Sequence, residues 1–76
     1  MSDYTVQLDT SGLNCPLPLL KTKKALATME SGQVLHVIST DPASVIDLAA
    51  FAAKSGNTLL ESRENSGKYY FLLRKA

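Results

Sequence analysis

Gly12-Leu13-Asn14-Cys15-Pro16-Leu17-Pro18 joins two stretches of different period. Before it, Tyr4-Thr5-Val6-Gln7-Leu8-Asp9 alternates apolar and polar residues. That pattern predicts a strand with one buried face, formed by Tyr4, Val6 and Leu8. After it, Leu19, Ala25, Leu26 and Met29 recur at helical spacing, which predicts a helix from about Pro16 to Met29. Proline is tolerated in a first helical turn, where the N–H groups have no partner. Pro16 therefore reads as the first helical residue and Cys15 as its N-cap. Leu17 precedes a proline, which disfavours helical angles, so a start one or two residues later is open. In either case Cys15 sits at or just before the positive end of the helix. Gly12 lets the backbone turn sharply ahead of them.

Cys15 is the only cysteine, and this placement bears on its chemistry. A helix start favours negative charge by about 0.3–1 kcal/mol for an exposed group, and cysteine thiols at such positions tend to ionise more readily. A lowered Cys15 pKa is the expectation. Pro16 and Pro18 support the helix start, and the N–H of Leu17 is the expected donor to the sulfur. Leu17 and Leu20 fall off the core stripe, on the turn beside Cys15. With Lys21 and Lys24 adjoining, they form a candidate docking surface. Lys21, Lys24 and Thr28 lie opposite the core stripe, and Gly32 supplies the turn that ends the helix.

Val34-Leu35-His36-Val37-Ile38 is apolar on both faces apart from His36, as a central parallel strand should be. His36, the only histidine, lies roughly 13 Å back from the strand end that Cys15 shares. It is out of reach as a base for the thiol. Asp41-Pro42 starts a second helix, with Asp as cap and Pro in the first turn. Val45, Leu48, Ala49 and Ala52 are expected to face inward, Phe51 to sit at the edge, and Asp47 and Lys54 to point out. Gly56 stops this helix. Asp41 opens it at the sheet edge that also carries Cys15, the usual binding edge of parallel strands, and is a candidate site-edge residue.

Thr58 to Glu64 and Lys68 to Arg74 flank Asn65-Ser66-Gly67, a hairpin signal. The last strand is apolar on both faces and is not expected to be an open edge. Its aromatic residues read as sheet packing. The predicted fold class is α/β, a two-layer sandwich of order β-α-β-α-β-β. Right-handed crossovers put both helices on one face of a four-stranded mixed sheet. The pattern leaves the strand order open.

Seventy-six residues bound the chain to a single domain, 1–76, with a limited core. One cysteine excludes an internal disulfide, a Cys-x-x-Cys pair and a cysteine-rich zinc site; neither metal nor cofactor is expected. A net charge of +1 gives no footprint for direct nucleic-acid binding. No apolar run approaches the length of a membrane span. Met1-Ser2-Asp3-Tyr4 lacks the basic start and apolar run of a secretory signal. With a free thiol, a cytoplasmic location is expected.

Cys15-Pro16-Leu17-Pro18 after Gly12-Leu13 resembles the signature of the TusA-like (SirA-type) sulfur carriers. The likeness extends to Gly32, Thr40-Asp41-Pro42-Ala43, Asp47, Phe51, Gly56 and the apolar final strand. The resemblance implies a sulfurtransferase acting mainly as a carrier, with sulfur held as a persulfide on Cys15. Its implied donor is a cysteine desulfurase or a rhodanese-like protein, and its acceptor another sulfur-relay protein. Implied pathways include tRNA 2-thiolation, sulfur oxidation and molybdenum-cofactor supply. Ala49 and Ala52 depart from tRNA-type members, which carry Pro and Cys in that helix. A neighbouring thiol would attack a persulfide, so a solitary cysteine suits the role. The alternative reading is a small RNA- or protein-binding module with a structural cysteine, for which Lys21, Lys23 and Lys24 supply only a short basic stripe. A thiol redox protein is a third reading, and the missing resolving cysteine counts against it.

Overall fold

The computed structural model describes residues 4–76, so the expectation drawn from Met1-Ser2-Asp3 lies outside the described residues. The elements are β1 (Val6–Thr10), α1 (Leu17–Ala27), β2 (Val34–Ser39), α2 (Ala43–Ser55), β3 (Thr58–Asn65) and β4 (Lys68–Arg74). They form the α/β sandwich expected, with one four-stranded sheet of order β1-β2-β4-β3. β1 and β2 are parallel, with Val6 opposite Leu35 and Thr10 opposite Ser39. β4 runs antiparallel to both β2 and β3. The two strands that are apolar on both faces, β2 and β4, are the two inner ones. Among the described residues no helix is long and apolar enough to cross a membrane.

The core lies between the sheet and the helices. Leu35 and Val37 of β2, Phe71 and Leu73 of β4, Leu26 and Met29 from α1 and the turn after it, and Leu48 and Ala52 of α2 make one cluster. Leu19, Ala25, Phe51 and Leu59 pack partly buried against it. α1 also buries Pro18 and Thr22. The Thr22 hydroxyl donates to the Pro18 carbonyl at 2.8 Å, so a polar residue on the inward stripe leaves no unpaired hydroxyl. α1 is shorter than expected. Thr28 caps it, its N–H donating to the Ala25 carbonyl at 3.2 Å, and the Met29 N–H donates to the Leu26 carbonyl at 3.1 Å. Gly32 belongs instead to the following turn, where the Gln33 N–H meets the Glu30 carbonyl.

Two expected faces differ from those observed. Tyr4 and Val6 are 43% and 37% exposed. β1 is an edge strand, so Val6 has a neighbour on one side only. Tyr4 lies outside the strand and stacks on His36 at a centroid distance of 4.9 Å. His36 stacks in turn on Tyr70 at 6.0 Å, making an aromatic row on the sheet face away from the helices. The second difference is the rotation of α2. Ser44, Leu48 and Ala52 are its buried residues, while Val45 is 38% exposed and Ala49 is exposed. The Ser44 and Ser39 hydroxyls share a buried hydrogen bond of 2.6 Å. That bond fixes the helix with Ser44, not Val45, against the sheet.

These packing differences set an expectation for stability. Leu26 is 2% exposed and Leu20 is 50% exposed. Leu26→Ala should cost about 2–5 kcal/mol through lost burial and the cavity left behind. Leu20→Ser should stay within about 0.5 kcal/mol, as exposed substitutions do. Urea denaturation of the two variants checks this, and a large loss for Leu20→Ser would show that it belongs to the core.

Candidate functional site

The site is assembled at the edge where β1 and β2 both end. Their parallel register brings Thr10 beside Ser39, so the loop before α1 and the loop before α2 leave the sheet together. Three hydrogen bonds then join them. The buried Thr10 hydroxyl donates to the Ile38 carbonyl at 2.6 Å. The Gly12 N–H donates to the Thr40 hydroxyl at 2.8 Å. The Cys15 N–H donates to Asp41 Oδ2. Gly12 takes φ 84°, a left-handed conformation that favours glycine. Space is not the reason, because nothing lies within 4 Å of where its Cβ would stand. Earlier in the loop, the Ser11 N–H donates to Asp9 Oδ1 at 2.9 Å. Hydrogen bonds from the Ser11 side chain and backbone hold the Asp9 carboxyl below its usual range.

Asp41 is the organising acid. Its second oxygen, Oδ1, accepts the Ala43 N–H at 3.0 Å and so caps α2. Its own N–H donates to the Ser39 hydroxyl at 3.1 Å. Both carboxylate oxygens therefore hold backbone N–H groups.

Cys15 itself is exposed, in a cis Cys15–Pro16 peptide. Its Sγ donates to Asp47 Oδ2 of α2 at 3.0 Å. That hydrogen bond is the main reason the thiol is pushed above its ordinary pKa; reduced hydration and the charges of Asp47 and Asp41 add to it.

The chain has counterparts among known proteins. The family model described as "Sulfurtransferase TusA" matches residues 6–75. The chain belongs to the TusA family. A sulfur carrier protein TusA from Allochromatium vinosum is 59% identical over 76 residues, covering both chains fully. A putative sulfur carrier protein from Neisseria meningitidis is 43% identical over 67 residues, 88% of this chain and 90% of its own. The crystal structure of a SirA-like protein from Desulfitobacterium hafniense superposes with a TM-score of 0.81 at 28% identity. That match covers 92% of this chain and 96% of the other.

Against this TusA frame, several expected features of the site take a different form. α1 begins at Leu17, with Pro16 as its N-cap residue; this is the later of the starts the sequence allows, and Cys15 lies just before the cap. The Leu17 N–H does not meet the sulfur; it donates to the Asn14 carbonyl at 2.8 Å. The expectation of a readily ionised Cys15 is reversed, because the sulfur faces a carboxylate and not a free backbone donor. Pro18 is fully buried and so is part of the core as well as of the helix start. Leu17 is 44% exposed, and Lys21 and Lys24 are exposed. These two lysines border a shallow hollow with Leu8, Ala25 and Thr28. His36 lies in the aromatic row, away from the Cys15 loop.

Asp47 is the residue that the sequence reading placed wrongly. It was expected to face solvent, and it reaches Cys15 because Ser44 turns α2. One signal was present. Asp47 is the only charged residue of α2 before Lys54, an isolated acid between Ile46 and Leu48.

Asp41→Ala removes the acceptor for two backbone N–H groups. It should cost about 1–2 kcal/mol, as the loss of a helix cap does. Amide hydrogen exchange at Cys15 should become faster in the same variant. Unchanged exchange there would show that the loop is held without Asp41.

Proposed function

We propose that this protein is a sulfur carrier in which Cys15 accepts a sulfur atom as a persulfide and passes it to an acceptor protein. The observation that carries the reading is an exposed, solitary cysteine inside a chain matched by the TusA model over residues 6–75. The chemistry is thiol–disulfide exchange with a sulfane sulfur. The Cys15 thiolate attacks the outer sulfur of a donor persulfide, forming a new S–S bond. The donor's S–S bond breaks, and its thiolate leaves and takes up a proton. Sulfur then moves to an acceptor cysteine by the same exchange, with no net oxidation or reduction. Residues 1–76 act as one carrier domain, in a reducing compartment such as the cytoplasm. The donor is a cysteine desulfurase or a rhodanese-like protein.

Intact mass after incubation with a cysteine desulfurase and free cysteine tests the reading. The expected result is a gain of about 32 Da for each sulfur atom, and no gain in Cys15→Ser. Absence of any gain in the wild-type chain with active donors would overturn it.

A carrier must dock its sulfur against more than one partner. Leu17 and Leu20 are exposed apolar residues on the helix that follows Cys15, and Lys21 and Lys24 continue that side. On α2, Ile46 is 75% exposed and Val45 38%, both close in sequence to Asp47. Moderately apolar patches suit contact with several partners. Leu17→Ser and Leu20→Ser should each slow sulfur transfer from a desulfurase with a stability change within about 0.5 kcal/mol. Transfer at the wild-type rate in both variants would place docking elsewhere.

A further inference from the structure

We propose that Asp47 controls the ionisation of Cys15, holding its proton in the free carrier until a cationic group from a docked partner pairs with the carboxylate and lets the proton go. The proposal rests on the sulfur-carrier reading and adds a residue to it.

The geometry separates the two acids at the site. Asp41 is occupied on both oxygens by backbone N–H groups, of Cys15 and Ala43. It serves the loop. Asp47 is half-buried and accepts the Cys15 Sγ–H at 3.0 Å. Among the described residues no ammonium or guanidinium group lies within 4 Å of its carboxylate; the ion pair there joins Arg63 to Glu61. Two lysines share its groove between the helices, Lys23 of α1 and Lys54 of α2. Lys23 is directed to Phe51 instead, its ammonium 5.7 Å from the ring centroid. Asp47 is thus a carboxylate beside an exposed thiol, with no salt bridge to it among the described residues.

A carboxylate in that position favours the thiol over the thiolate, by hydrogen bonding to the protonated form and by repelling the charged one. The Asp47 hydrogen bond is the largest cause of the raised Cys15 pKa, with reduced hydration and the Asp47 and Asp41 charges after it. The thiolate is the nucleophile, so the free carrier is held in its less reactive form. A guanidinium or ammonium placed on Asp47 by a partner removes both effects. The Sγ proton passes to water, and the thiolate attacks the outer sulfur of the partner's persulfide. The new S–S bond forms at Sγ as the donor's S–S bond breaks, and the departing donor thiolate takes up a proton. Proton and electron count are unchanged overall.

The sign of the pH dependence follows. A raised pKa keeps the thiol protonated to higher pH, so alkylation of the free carrier should reach half its limiting rate above about pH 8.5, the ordinary thiol value. Asp47→Asn keeps the shape and removes the charge. Its midpoint should fall below that of the wild type, with alkylation near neutral pH severalfold faster, since more thiolate outweighs its lower nucleophilicity. Asp47→Glu should keep the midpoint high.

The test uses the full chain, as wild type, Asp47→Asn and Asp47→Glu, each checked for folding by its melting curve. Iodoacetamide alkylation is measured against pH. Sulfur loading is measured by intact mass with two donors, glutathione persulfide and a persulfide-charged cysteine desulfurase. The expected result is that Asp47→Asn speeds loading from glutathione persulfide severalfold, in line with the thiolate it gains, and leaves loading from the desulfurase unchanged or slower. An alkylation midpoint equal to wild type in Asp47→Asn would overturn the control by Asp47. Equal acceleration with both donors would overturn the role of the partner's cation. If wild-type Cys15 takes sulfur from neither donor, the carrier reading fails, while the alkylation profile still decides whether Asp47 holds the proton.

Discussion

The parallel pairing of β1 with β2 is the constraint on which the rest of this molecule depends. Parallel strands need a crossover, and α1 supplies it. The register that sets Thr10 beside Ser39 makes both following loops start at one edge. Each of these two residues is buried with a hydroxyl, and each hydroxyl is spent on the neighbouring loop or strand end. A slip of β1 by one residue would turn the Thr10 hydroxyl to the opposite face and bring its flanking residues into the core. The site is therefore fixed by strand register before any residue of the Cys15 loop contributes.

Upon that base the polar groups divide their tasks. Asp41 fastens the Cys15 loop to the start of α2, and Asp47 meets the sulfur. The hydrogen bond between Ser39 and Ser44 decides which side of α2 faces inward, so a buried hydroxyl pair indirectly determines which acid reaches Cys15. Buried polar groups of this sort must be paired, and here the pairing also sets the helix rotation. The apolar core beneath, from Leu26 through Leu48 to Phe71, supplies the burial.

Element order, the inner position of β2 and β4, the Ser66-Gly67 hairpin and the left-handed Gly56 that ends α2 were all legible in the sequence. They follow from local signals: two-faced apolar runs, prolines at helix starts and glycines at helix ends. The faces of β1 and α2 were less legible. Alternation marks which side of a strand is inward, and it does not say that an edge strand leaves Val6 partly uncovered. Helical spacing admits either Ser44 or Val45 on the inner side, and only the contact with Ser39, which is tertiary, chooses between them. Cys15 stood out from its setting. Its ionisation did not, because a helix start predicts one direction and the acid on a distant helix sets the other.

The contact between Cys15 and Asp47 depends on a proton at Sγ. A cysteine that has gained a second sulfur has its Sγ bonded to carbon and to that sulfur, so Sγ itself carries no hydrogen to donate. The contact therefore belongs to the empty form alone. With sulfur bound, Sγ would offer the carboxylate lone pairs in place of a proton, and the hydrogen bond from Sγ to α2 would be lost. The two chemical states differ by one atom, yet they present different faces to an approaching protein. A bare thiol is hydrogen-bonded to α2 through Sγ, and a Sγ loaded with sulfur would lack that bond.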